Sequence, residues 1–158
     1  MRRIIHLGRR FFESIRSRPL DPREQDRVSG WLREGESRLF WRQQEIDQRH
    51  ALGCADLIAS RNPERLDLIR AALLHDVGKR HARLGVIGRV LASVLWLLHL
   101  GAPGRLGLFL DHGALGAREL ASLGAEPIVT AFAAGHHGSC PAGLSEDDWA
   151  VLREADGE

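Results

Sequence analysis

The chain has 158 residues, of which 44% are hydrophobic and 27% charged, and its formal net charge is +1. This size and balance predict one globular domain with a core of its own, and they exclude a general electrostatic attraction to an acidic partner. Two cysteines, Cys54 and Cys140, are too few for a disulfide framework, so we expect a reducing, cytoplasmic environment.

The N-terminal segment MRRIIHLGRRFFESIRSR carries six arginines and one glutamate. Its apolar residues recur at helical spacing, which predicts an amphipathic helix, and it lacks the apolar run and cleavage site of a signal peptide. We expect this helix to belong to an N-terminal helical extension, residues 1–45, that packs on a core of residues 46–158. Contact of the basic helix with a membrane surface is the less favoured alternative.

The remaining chain predicts an all-α fold, because strand-like alternation is missing and apolar residues recur every three or four positions. Asp21-Pro22 is typical of a helix start, and this helix should end near Gly35. The longest apolar run, 90–98, is too short to span a bilayer and indicates a core helix. Further helices are expected over 47–59, from Asn62-Pro63 to Asp76, and over 87–100, 108–122 and 126–134, with a last one from Ser145 to near the C-terminus.

Four predicted helices each place a histidine on their apolar face. One such histidine is usually a core residue with a hydrogen-bond partner. Four of them, with Asp76 beside one and His137 beside another, would be costly to bury unless something neutralised and hydrogen-bonded them, and a metal cluster does so. The four histidines are His50, His75, His112 and His136.

The ordered segments HALGCADLIA, AALLHDVGK, DHGALGARELA and AGHHG resemble the motifs of the HD-domain superfamily of metal-dependent phosphohydrolases, over residues 47–156. The resemblance implies an HD-type helical bundle. It also implies a first metal held by His50, His75, Asp76 and a late aspartate. Asp76 would bridge to a second metal, held also by His112 and by His136 or His137.

Among the late acidic residues we favour Asp156 as the remaining ligand. Asp147 and Asp148 are the alternatives, but the helix macrodipole already explains acidic residues in a first helical turn. The metals expected from imidazole and carboxylate ligands are iron or manganese, with zinc, magnesium or nickel as alternatives. A thiolate ligand from Cys140 is less favoured than a small buried thiol.

Two departures from the family pattern narrow the expected chemistry. The cyclic-dinucleotide phosphodiesterases of the superfamily follow their paired histidines with an acidic residue and a Gly-Tyr-Pro segment, whereas this chain has HHGSCPAGL. Hydrolysis of cyclic di-GMP is therefore not expected. Ile46 stands where the acidic ligand of a third metal would lie, so we expect two metals at most.

The resemblance implies a phosphohydrolase that uses metal-activated water and has Asp76 at the centre of its catalytic cluster. Lys79, the one lysine among 22 basic residues, would face the open side of the cluster and bind a phosphate oxygen. A solvated turn lysine is the alternative. Gly78 would let the chain turn away after the metal ligands. An HD-type di-iron oxygenase and a non-catalytic nucleotide- or metal-binding module remain rival functions.

Residues 80–105 replace a short turn with an apolar helix flanked by glycines. The glycines suggest a lid over the metals, and a core helix is the equal alternative. In the lid interpretation the rim is lined by Arg80, Arg83, Arg89 and Arg105, of which Arg80 and Arg83 are expected to bind the substrate. We therefore expect a small phosphorylated substrate such as a nucleotide and no stable nucleic-acid partner. The sequence leaves the oligomeric state open.

Overall fold

A computed structural model describes residues 18–157 of the chain, and within this range it contains nine α-helices, one 3-10 helix and no strand. The all-α class is therefore confirmed for the described residues, while the predicted N-terminal amphipathic helix lies outside them. The elements in chain order are α1 (Pro22–Trp31), α2 (Glu34–Trp41), α3 (Glu45–Arg61), α4 (Leu66–Leu74), the 3-10 helix η1 (Val77–His81), α5 (Val86–Leu97), α6 (Gly104–Leu110), α7 (His112–Ser122), α8 (Pro127–Gly135) and α9 (Glu146–Asp156).

The helix starts expected from capping residues are confirmed at both ends of the described chain. Asp21 Oδ1 accepts a hydrogen bond from the Glu24 amide at 2.9 Å, and Glu24 Oε2 accepts one from the Asp21 amide at 2.8 Å. At the start of α9, Ser145 Oγ accepts from the Asp148 amide at 3.1 Å. The reciprocal bonds of Asp21 and Glu24 and the single bond to Ser145 satisfy amides that have no partner inside a helix.

Three predicted helix boundaries are wrong. The first helix ends at Trp31 and α2 is a separate helix, and α4 begins at Leu66 rather than at Asn62-Pro63. The helix expected over 108–122 is two helices, α6 and α7, which join at Asp111. The apolar spacing continues across this junction without a proline, so the break depends on how α7 packs against η1 and α8.

The core is built around α4, because six of its nine residues are buried. It packs against α3, α8 and α9, and Val28 of α1 and Phe40 of α2 are fully buried in the same core. Phe132 of α8 and Leu152 of α9 complete the contact from the other side. This arrangement places the last residue of α4 and the chain that follows it at the meeting point of several helices.

The prediction that residues 90–98 form a core helix is wrong. Ala92 is the buried residue of α5, and several of its large apolar residues are exposed. The periodic spacing predicted the helix correctly, but the helix lies on the surface, against α6. No helix among residues 18–157 combines the length and the apolar character needed to cross a membrane.

Candidate metal centre

Three of the predicted histidines follow helix ends in the same way. His75 follows α4, His112 follows α6 by two residues, and His136 follows α8. The Nδ1 atom of each ring lies near the carbonyl oxygen of the residue three positions earlier: 2.8 Å for His75 and Ala72, 2.6 Å for His112 and Phe109, and 3.2 Å for His136 and Ala133. Because a carbonyl can only accept, Nδ1 must carry the hydrogen, and the Nε2 atoms face the opposite way.

The Nε2 atoms of these three histidines converge on the carboxylate of Asp76. His112 Nε2 lies 3.3 Å and His136 Nε2 3.5 Å from Asp76 Oδ1, while His75 Nε2 lies 3.3 Å from Oδ2. The Nε2 atoms of His112 and His136 are 3.3 Å apart. Asp76 Oδ1 and His75 Nε2 are fully buried and have no hydrogen-bond partner among residues 18–157. Such a convergence of buried polar atoms is unfavourable unless a proton or a metal cation lies between them.

The first predicted metal site also includes a residue of the last helix, α9. Asp156 Oδ1 lies 2.8 Å from His50 Nε2 and 3.5 Å from His75 Nε2, and its side chain is buried. Although Asp156 lies near the C-terminus, the helix that carries it is held in place, because Trp149 and Leu152 of α9 are buried in the core. The late aspartate that reaches the cluster is therefore Asp156.

The other two candidates for the late acidic ligand lie elsewhere. Asp147 is exposed in the first turn of α9, and Asp148 forms an ion pair with Arg65 at 2.9 Å. The Arg65 guanidinium lowers the pKa of the Asp148 carboxyl. This pair connects α9 to the start of α4 instead of contributing to the cluster.

The side chains form three groups whose ligand atoms lie within 4.8 Å of one another. Two ligands on one ion are separated by at most roughly 4.4 Å when each bond is about 2.2 Å long, so these groups need little closure to hold a metal. The protein therefore has histidine and aspartate groups that could hold metal ions. The groups are His50, His75 and Asp76; His112, His136 and His137; and His50, Cys54 and Asp156.

His137, an alternative in the predicted ligand set, and Cys54, which was not predicted, both lie beside the predicted ligands. The sequence left His136 and His137 as alternatives, and the structure brings both rings beside His112, with centroids 4.0 Å from each other. His137 is exposed and His136 buried. Cys54 was not predicted, although its position four residues after His50 places it on the same helix face; its Sγ lies 3.7 Å from His50 Nε2. Cys140 belongs to none of the three groups in the described chain.

The cluster carries strongly perturbed acid–base groups. Burial lowers the pKa of His112, and it lowers that of His136 to about 3, so both rings are neutral at ordinary pH. Burial also opposes the charge on His75, but the carboxylates of Asp76 and Asp156 outweigh it and raise the pKa of that histidine to about 10. The pKa of Asp76 lies well below its usual range despite burial, because His75 and Lys79 favour its ionised form. Two neutral imidazoles and an ionised carboxylate are therefore ready to act as ligands.

Lys79 contacts the cluster directly. Its Nζ donates to Asp76 Oδ2, and its side chain is buried, which excludes the alternative of a solvated turn lysine. The ammonium also lies 5.7 Å from the centre of the Phe109 ring. The side chain was expected at the open side of the metals, but in the structure it forms an ion pair inside the cluster.

Arg80 and Arg83, the other predicted substrate-binding residues, lie on a different surface. Arg80 pairs with Glu119 and donates to the Val77 carbonyl at 2.7 Å. Arg80 and Arg83 line a surface pocket together with Arg42, His81 and Glu119. Among the described residues, the basic group that contacts the cluster is therefore Lys79, and contact of Arg80 or Arg83 with a substrate stays a prediction.

The structure also assigns Gly78 a different role from the one expected. Its φ is not among the positive values that require glycine. Instead, a Cβ at this position would lie 1.9 Å from the carbonyl oxygen of His112 and 2.8 Å from the Gly116 amide nitrogen. Glycine is needed here because η1 and α7 approach through their backbones, which brings Asp76 and His112 together.

The donor set and its buried unpaired atoms fit a metal centre of imidazoles and carboxylates. Comparisons of the chain with models of protein families, with curated proteins and with solved structures found no match.

We expect metal binding to release about one proton near neutral pH, because a histidine ligand must be deprotonated and His75 has a raised pKa in the metal-free protein. Metal affinity should therefore increase as the pH rises toward about 10, whereas the stability that protonated His75 gives the metal-free fold is lost over the same range. Calorimetric titration with Mn²⁺ in two buffers of different ionisation enthalpy measures the released protons. An identical binding enthalpy in both buffers would contradict the assignment of His75.

Proposed function

We propose that the protein is a metal-dependent phosphohydrolase that acts on a small phosphorylated substrate such as a nucleotide. The observation that carries this proposal is the carboxylate of Asp76, whose two oxygens face three Nε2 atoms at 3.3 to 3.5 Å in a buried site. The order of the sequence motifs, which resembles that of the HD-domain superfamily, supports the same function. The low cysteine count supports a cytoplasmic location.

The ligand atoms suggest two neighbouring metal positions that share Asp76. One would use His50, His75 and Asp156, and the other His112, His136 and His137. Iron and manganese suit these ligands best. Bound there, the metals would supply Lewis acidity that makes water a stronger acid and withdraws charge from a phosphoryl oxygen.

The chain's own residues prepare the site in three ways. The carbonyls of Ala72, Phe109 and Ala133 hold three imidazoles in the tautomer whose Nε2 faces Asp76. Buried surroundings exclude water from His75 and Asp76, whereas His50 and His137 are the candidate ligands that reach solvent. A phosphoester would approach from that accessible side. Lys79, already beside Asp76, supplies a positive charge for the phosphoryl oxygens.

Loading the purified chain with iron or manganese and assaying phosphomonoesters, nucleotides and phosphodiesters tests the function. Turnover of a small phosphoester that disappears with a chelator supports it. Substrate-dependent O₂ uptake with an Fe(II)/Fe(III) electron paramagnetic resonance signal would instead show a di-iron oxygenase. Inactivity across the panel despite a full metal load would indicate a non-catalytic binding module.

Replacing Lys79 should separate catalysis from metal binding. Lys79→Met keeps most of the side-chain volume but removes the charge that contacts Asp76. We expect metal content to be retained and kcat to fall by about 10²-fold, as when one preorganised donor is lost. Elemental analysis and steady-state kinetics measure the two effects, with Arg38→Met, which changes an exposed basic residue of α2 that pairs with Glu34, as the matched control. An unchanged kcat would show that Lys79 has only a structural role.

A further inference from the structure

The outward face of α5 and the turn after it expose a continuous set of large apolar side chains. In residues 18–157, nine of the eleven exposed large hydrophobic residues lie between positions 87 and 108. Apolar patches of this kind are rare on monomeric proteins and mark contact surfaces. The exposed set includes Ile87, Leu91, Val94, Leu97, Leu98 and Leu100.

The polarity of α5 is reversed relative to an ordinary surface helix. Its inner side carries Arg89, which forms a bidentate ion pair with buried Asp47 at 2.6 and 2.7 Å, and small Ala92, which is buried. Its outer side carries isoleucine, leucine and valine, with Ile87 86% exposed. A helix that faced water would show the opposite arrangement. The inward ion pair fixes which face of α5 is turned outward, so the exposure follows from the fold.

The exposed chain at the end of α5 indicates what kind of partner covers the apolar surface. Residues 96–101 are all exposed, so the chain between α5 and α6 forms an apolar tip that begins with Trp96. Tryptophan is enriched where a protein meets the headgroup region of a bilayer. With 12 residues, α5 is about 18 Å long, which is too short to span the hydrocarbon layer but long enough to lie in its outer part.

The charged residues around the apolar surface indicate the same kind of partner. Residues 84–110 contain two arginines and one histidine and no acidic residue, and Arg83 and Arg105 are exposed beside the apolar face. In a symmetric dimer through this face, Arg83 and Arg105 of one copy would lie near the same arginines of the other copy, with no acidic residue from 84–110 to pair with them. Anionic lipid headgroups provide the missing negative charge.

We propose that α5, α6 and the tip between them dock the protein on the surface of a bilayer that contains anionic lipids. The apolar tip enters the outer hydrocarbon layer, and Arg83 and Arg105 lie at the level of the headgroups. Because Trp96 is next to His137, with ring centroids 6.2 Å apart, docking would bring the exposed side of the candidate metal centre close to the membrane. This inference does not depend on the proposed hydrolase activity.

Co-sedimentation of the full chain with lipid vesicles tests the proposal. We expect binding to vesicles of mixed phosphatidylcholine and phosphatidylglycerol, weaker binding to pure phosphatidylcholine, and a decrease with added salt. The double substitution Leu97→Glu with Leu98→Glu should reduce binding by more than about tenfold, because two exposed apolar groups that would enter the bilayer become charged. The matched control Leu66→Glu changes an exposed leucine outside this surface and should bind like the wild type.

Tryptophan emission provides a second measurement. Trp96 is 48% exposed, so its emission should shift to shorter wavelength when the tip enters the bilayer, and Trp96→Phe should abolish that shift. The proposal is overturned if the full chain does not bind the mixed vesicles. It is also overturned if sedimentation velocity shows a dimer that Leu97→Glu with Leu98→Glu dissociates. A third contradicting result is that Phe11→Glu, which changes an apolar residue of the predicted N-terminal amphipathic helix, abolishes vesicle binding while the double substitution leaves it intact.

Discussion

Asp76→Asn should remove metal binding and the proposed phosphohydrolase activity together. The side chain keeps its size but loses the charge toward which three imidazole Nε2 atoms point, and Asp76 is the residue that both predicted metal positions share. We expect metal affinity to fall by more than about 100-fold. Loss of a residue that only hydrogen-bonds a metal ligand typically costs about 10- to 100-fold, and Asp76 is expected to be a ligand itself. The loss of several kcal/mol of transition-state stabilisation corresponds to a decrease in kcat/KM of about 10³-fold or more.

The matched control is Asp148→Asn, because this residue was an alternative for the late acidic ligand and pairs instead with Arg65. The partly exposed pair should contribute less than about 1 kcal/mol to stability, and the variant should keep its full metal content. Elemental analysis, kinetics and circular dichroism of both variants compare metal, activity and fold. A full metal load in Asp76→Asn would contradict the shared role of Asp76.

Much of the candidate site could be predicted because its residues follow recognisable local spacings in the sequence. His75 and Asp76 are adjacent in the sequence. His50, His112 and His136 each lie at a position that falls on the apolar face of a predicted helix. Such residues are brought together whenever the apolar faces pack into one core. Cys54 shows the same signal, four residues after His50, but it was not predicted as a ligand.

Other features depend on tertiary contacts that no local pattern contains. The junction at Asp111 interrupts an apolar pattern that continues from α6 into α7, and the ion pair of Arg89 with Asp47 joins residues 42 positions apart. The same limit explains the wrong prediction for α5. Periodicity identifies an apolar face, but it does not reveal whether protein, lipid or another chain covers that face.

Gly78→Ala should be among the most destabilising single substitutions in the chain. The added Cβ would lie 1.9 Å from a backbone carbonyl oxygen of α7, and backbone atoms cannot rotate away as a flexible side chain can. η1 would have to move away from α7, so we expect the metal-free protein to lose about 3 kcal/mol of unfolding free energy. The same movement separates Asp76 from His112, so metal affinity should fall as well.

The matched control for this substitution is Gly53→Ala, in the exposed part of α3, where an added Cβ meets nothing within 4 Å. Removing glycine from a helix interior should stabilise the protein by about 0.5–1 kcal/mol. Urea unfolding of both variants in the presence of a chelator measures stability without a contribution from bound metal, and a Mn²⁺ titration then measures affinity. If Gly78→Ala were as stable as the wild type and kept its affinity, the close backbone approach of η1 and α7 could not be what positions Asp76 beside His112.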